Sequence, residues 1–168
     1  MKTTLYLTAA LTSAALLGSA AFAAKAVPDR EFIGKALQGD DSEKALGSLA
    51  EKRGASAGTR TFGHMLAADH GRARVQVLAL AKKVRAPVPD KPTEEAAAEY
   101  AKLEGMSGTA FDKEYARYMV EDHKKDIADF TAQASGSRDP RGKALARATV
   151  PVLKKHLAIA QSLAAKTR

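Results

Sequence analysis

Apolar residues recur every three or four positions along four long stretches of this chain, and each series is interrupted near its middle by one ionisable residue. Phe32, Ala36, Gly39, Glu43, Leu46 and Ala50 share one helical face, as do Phe62, Leu66, His70, Ala73, Val77 and Leu80. The same spacing joins Phe111, Tyr115, Met119, His123, Ile127 and Phe130, and then Leu145, Thr149, Val152, His156, Ile159 and Leu163. This is the period of amphipathic helices. Four such helices bury their stripes against one another, which predicts an all-α four-helix bundle. β-branched residues are sparse and never alternate over a useful length, so no strand competes.

Local punctuation divides the helices. Asp29 can cap a first helix running to about Arg53, with a break allowed at Gly39-Asp40. Gly54 to Gly58 make a turn, and a second helix runs from about Thr59 to Arg85. It stops at Ala86-Pro87-Val88-Pro89-Asp90-Lys91-Pro92, where prolines remove backbone donors and force extended geometry. Thr93 caps a short extra helix ending near Gly105, inside the long second connection. Ser107 opens the third long helix, which closes at Ser135-Gly136-Ser137, and Asp139-Pro140 starts the fourth by cap-then-proline logic. The long connection reaches roughly 40 Å, enough either to cross the bundle or to fold back, so topology stays open.

The first residues bear on the compartment. Lys2 precedes an apolar run from Leu5 to Leu17, and Ala21-Phe22-Ala23 has the small-x-small form read by signal peptidase. The run is shorter than the about 18 apolar residues of a membrane span. We expect a signal peptide over residues 1–23 cleaved after Ala23, a tether over 24–28, and the bundle over 29–168. No second apolar run follows, so a soluble periplasmic or secreted protein without a transmembrane span is expected. There is no cysteine, so an exported form has no disulfide and relies on its core or a ligand. The formal charge is +8, with the basic residues spread along helices and no aromatic-interleaved patch. Nucleic acid is not an expected partner. The basic surface reads either as simply solvated or as suited to an anionic envelope surface such as lipid head groups.

The interruptions carry the functional signal. Glu43, His70, His123 and His156 each sit on a buried stripe, and burying them is costly unless they satisfy one another or share an ion. Glu43 and His70 lie at similar distances from the first turn, roughly 20 Å at the helical rise, and the other two are again near mid-height. Three imidazoles and a carboxylate at one level can form a shell for zinc, copper or iron. Two readings stand for the histidines: metal ligands, or hydrogen-bonded core residues. Glu43 is a fourth ligand, or the partner of Asp40 in a capping box if the helix breaks at Gly39. Asp69, Asp122 and Asp126 are placed either to orient the imidazoles from behind or to face solvent. His64 points away from its stripe. Di-iron carboxylate bundles need Glu-x-x-His on two helices, whereas Ala67, Val120 and Leu153 stand three before the histidines. No nucleophile motif or phosphate-cradling loop is present, and nothing demands an enzyme.

The motifs Gln38-Gly39 followed by Glu43, Met65 to Asp69-His70, Phe111-Asp112-x-x-Tyr115-x-x-x-Met119-Val120-x-Asp122-His123 and Pro151-x-Leu153-x-x-His156-Leu157 occur together. In them the chain, from about Phe32 to Leu163, resembles a secreted ferritin-like family catalogued as a domain of unknown function and often labelled an outer-membrane protein. The resemblance implies a ferritin-like bundle and no established activity. The outer-membrane label finds neither barrel strands nor a lipobox cysteine here. Three roles follow from the residues: a metal-binding module, an envelope structural or stress-related interaction protein with a buried histidine network, and a pH-responsive bundle. If Glu43 is only a cap, a three-histidine site with a bound water would resemble a hydrolytic or redox centre.

Overall fold

The computed structural model describes residues 24–167, so the expected signal peptide lies outside the described residues. Those described form five helices and no strand: α1 Asp29–Arg53, α2 Ala57–Val84, α3 Glu94–Glu104, α4 Gly108–Gly136 and α5 Pro140–Lys166. None of these helices is long and apolar enough to cross a membrane.

Local chemistry accounts for the boundaries. α1 carries Asp29 and Glu31 in its first turn and Lys52 and Arg53 in its last, matching the helix dipole at both ends. It runs unbroken through Gly39-Asp40, so the capping-box reading of Glu43 falls away. Glycine weakens a helix interior by about 1 kcal/mol, and burial of Leu37 and Leu46 on either side outweighs that cost. α2 begins slightly before Thr59 because the Ser56 hydroxyl accepts the Thr59 amide. Arg85, in the left-handed region at φ 55°, ends it ahead of the prolines. Thr93 caps α3 and Asp139 caps α5, with Pro140 in the first turn of α5.

Contacts at the two ends fix the topology. At the α1–α2 turn, the Asp112 carboxylate at the start of α4 accepts the Ala55 and Ser56 amides, each at 2.8 Å. Leu163, near the end of α5, lies against Gly58 in the same place. At the opposite end Asp29 accepts from Gln133 near the close of α4 and from Ser137. α2 and α4 therefore run in the same direction, and the second connection crosses the length of the bundle. α1 straps it down in order: Arg30 donates to the Arg85 carbonyl, Gln38 to Lys91, and Arg53 to Glu104 and Met106, while Ser42 accepts the Thr93 amide.

α1 and α2 meet backbone to backbone at Gly47 and Gly63. A Cβ on Gly63 would stand 2.6 Å from the Gly47 carbonyl, and one on Gly47 would stand 2.7 Å from the Gly63 carbonyl. The core divides into two apolar layers, and the Gly47–Gly63 contact lies in the first of them. One gathers Leu46, Phe62, Leu66, Leu103, Phe111, Tyr115, Met119 and Leu163. The other gathers Phe32, Ile33, Leu37, Val77, Ala81 and Ala146. Between them, on all four long helices, lie Asp40, Glu43, His70, His123 and His156, all buried. The fourth stripe is corrected at one position. Val152 is 40% exposed and Leu153 takes the buried place, because three or four residues before His156 satisfy the helical period equally well and the larger side chain wins the interior.

Candidate metal centre

α2, α4 and α5 each deliver one imidazole to the polar layer. The ring centroids of His123 and His156 are 5.4 Å apart, those of His70 and His156 5.4 Å, and those of His70 and His123 6.3 Å. One nitrogen from each ring lies within 4.8 Å of the other two. His123 and His156 are fully buried and His70 nearly so.

Each ring has one nitrogen tied to an acceptor. His70 Nδ1 lies 3.0 Å from Asp40 Oδ1 and 3.0 Å from Glu43 Oε2. His123 Nδ1 donates to the Met119 carbonyl one turn back at 3.0 Å. His156 Nε2 lies 3.0 Å from Asp69 Oδ2, across from α5 to α2. A carbonyl can only accept, which places the His123 ring proton on Nδ1; where the Asp40 and Asp69 carboxylates accept, the protons of His70 and His156 likewise sit on the tied nitrogens. The other nitrogens, His70 Nε2, His123 Nε2 and His156 Nδ1, are buried without a hydrogen-bond partner. They are therefore bare lone pairs. Of the three, only His123 Nε2 has a carboxyl within reach, that of Glu43; lone pairs left unmet cost roughly 1–3 kcal/mol each, and together they suit an electron-pair acceptor. This tied-and-free arrangement is the one metal-binding histidines adopt.

The charges behave accordingly. Burial, with His70 and His156 beside it, lowers the His123 pKa to about 3, so that ring is neutral near neutral pH. Burial also lowers His156, against the pull of Asp69. Glu43 touches the imidazole group from α1, its Oε1 3.3 Å from His123 Nε2. Burial and the neighbouring Asp126, Asp122 and Asp40 push its carboxyl well above the usual range. Burial thus favours the protonated carboxyl, which can donate to the His123 lone pair; a cation bound there would displace that proton.

Asp122 stands beside Glu43 and His123, one donor atom of each lying within 4.8 Å of the others. Burial and Glu95 raise its pKa to about 6. Asp126, one turn on, is raised to about 8 by burial and by Asp122 and Asp129. Neither forms a hydrogen bond to a histidine among the described residues. Asp69 does, and also pairs with Arg72. Sequence reasoning missed Asp40, reading it as a cap; it lies one turn before Glu43 on the inward face and holds His70. It also missed the buried, unpartnered Tyr115 hydroxyl. His64 is exposed and pairs with Glu51 at 2.9 Å.

Comparison with known proteins bears on fold and family. The family model described as a domain of unknown function, DUF4142, matches residues 14–163. No curated protein matches the chain. Among solved structures it is similar to a DUF305 fragment from Deinococcus radiodurans, at 17% identity and TM-score 0.72, covering 84% of this chain and 99% of that one. It is also similar to a candidate secreted DUF305 protein from Streptomyces coelicolor, at 15% identity and TM-score 0.69, covering 83% of this chain and 94% of that one. At these identities the likeness is one of fold.

Proposed function

The chain belongs to the DUF4142 family, and from that premise we propose that it is an exported, ferritin-like protein that binds one transition-metal ion in its core. His70, His123 and His156 are the ligands, and Glu43 supplies a fourth donor after losing its proton. Asp40 and Asp69 orient two of the rings from behind, and Asp122 and Asp126 balance the charge brought in. Zinc, copper and iron suit imidazole with carboxylate, and the absence of thiolate leaves no bias toward softer ions. The compartment is the periplasm or the exterior, reached through the signal over residues 1–23.

One observation carries this reading: three buried imidazoles from three helices, each with its outer nitrogen tied and its other nitrogen bare. A core built only for hydrogen bonding would pair those lone pairs with donors, and the structure offers none to His70 or His156. The reading is tested by loading the purified untagged protein with zinc, copper or iron and measuring retained metal and melting temperature. We expect close to one ion per chain. A ligand at about 100 times its Kd stabilises by about 2.7 kcal/mol, a rise of about 5–10 °C for a chain of this size. Combined His70→Ala, His123→Ala and His156→Ala should abolish both effects. Failure of the wild-type protein to retain any of the three metals would overturn the reading.

A further inference from the structure

A cavity of about 150 Å³ opens between α1, α4 and α5 and ends on Asp40, Glu43 and His70. Its walls include Gly39, Asp126 and Asp129, with Phe32, Phe130 and Leu153 on the apolar side. Four carboxylates line it against two ammonium groups, Lys25 and Lys35, and Lys35 is paired with Glu31 on its own helix at 2.8 Å. Two of the carboxylates, those of Asp40 and Glu43, are more than nine-tenths buried and each leaves an oxygen without a partner.

Gly39 is the informative position. Gly47 and Gly63 are needed where two backbones meet, but a Cβ on Gly39 would find nothing within 4 Å. Packing does not ask for glycine there, and the helix interior disfavours it. The space it leaves is part of the cavity.

We propose that this cavity is the access route for a divalent cation, with Gly39 keeping the throat open and Asp129 and Asp126 passing the ion to Glu43 and His70. The inference rests on the metal-binding reading. The volume holds several waters, at about 30 Å³ each in the liquid, so an ion can travel partly hydrated. An approaching cation favours ionisation of these carboxyls, Asp126 and Glu43 included, and carboxylates between low-dielectric walls raise the local cation concentration and the rate of arrival. A second opening lies between α2 and α5 and also reaches the site, its lining including Asp40, Asp69, His70, Arg72, Ala73 and His156. It presents two carboxylates against the four of the first cavity, and that of Asp69 is already paired with Arg72, which disfavours it as the cation's way in.

A route changes the rates of arrival and departure together and leaves equilibrium affinity alone, which gives the test. Metal-free protein is mixed rapidly with cobalt(II), and visible absorption follows loading; chelator competition gives the release rate and Kd. Gly39→Leu fills the throat and should slow both loading and release by about tenfold or more, given how closely protein interiors pack, with Kd unchanged. Asp129→Asn should slow loading several-fold and weaken its dependence on salt. Ala73→Leu, in the other opening, should do neither. Unchanged loading in Gly39→Leu, or slowing by Ala73→Leu instead, overturns the route while metal binding stands. No cobalt or zinc binding by the wild-type protein removes the premise and the route with it.

Discussion

Replacing Gly63 by alanine tests whether the α1–α2 contact sets the geometry of the polar layer. The added methyl would stand 2.6 Å from Glu51 N, 2.6 Å from Gly47 O and 2.9 Å from Ala50 C. All three are backbone atoms, so no side chain can swing aside, and ordinary contact requires the helices to part by nearly 1 Å. Overpacking of this kind costs about 1–3 kcal/mol, and two rigid backbones put this case near the upper end. Alanine returns about 1 kcal/mol through helix propensity. The net loss should be about 2 kcal/mol, read as a fall of about 4–8 °C in melting temperature. Asp40 and His70 lie beyond this contact on the two helices, so parting them should also loosen the His70 hydrogen bond and weaken metal binding by about tenfold. Gly39→Ala is the matched control, since its methyl meets nothing, and it should gain about 0.5–1 kcal/mol. Urea and thermal unfolding of both variants, followed by circular dichroism, decide the matter. If Gly63→Ala unfolds within about 0.5 kcal/mol of the wild type, the overpacking cost is at most about 1.5 kcal/mol, half of that argued above, and the contact does not have the role assigned to it.

Two further outcomes follow from the geometry. Asp69→Ala should weaken metal binding by about 10–100-fold, because His156 loses the acceptor that fixes its tautomer; Asp69→Asn, whose amide oxygen can still accept, should lose less, and equal affinity in all three proteins would show that Asp69 does not orient the ring. At the α1–α2 turn, burial pushes the Asp112 carboxyl up, but hydrogen bonds from Ser56, Ala55 and Thr59 outweigh it and leave the pKa below the ordinary 3.8. A carboxyl lowered on folding stabilises above its unfolded pKa, and that stabilisation is lost as pH falls through the folded value. Asp112→Asn should therefore cost about 2 kcal/mol near neutral pH, with the deficit against the wild type shrinking as acid is added; a constant deficit down the acid limb would refute the linkage.

Much of the architecture is written in repeating patterns, and repeating patterns are what a single sequence exposes. The three-and-four spacing marks the four long helices, and counting residues from the turns places Glu43, His70, His123 and His156 at one height. Isolated contacts are harder to read. The direction of the second connection depends on Arg30, Gln38, Ser42 and Arg53 each meeting one backbone group, and no periodicity announces that. Asp69 lies about 100° round the helix from the His70 stripe, which suggests solvent until α5 is seen to bring His156 alongside. Asp40 was hidden for another reason: its spacing to Glu43 fits a helix cap as well as two inward neighbours on a continuous helix. Gly47 and Gly63 look like ordinary weak points in a helix until the backbones opposite them are known.

The bundle draws its imidazoles and its carboxylate from four different helices, with no two on the same one. In a newly made or unfolded chain, therefore, no two of these four donors are held together. The four meet only in the folded bundle. On the metal-binding reading proposed above, the ion taken up would be the one its surroundings offer at that moment, and a chain exported unfolded would leave behind the metals of the compartment in which it was made.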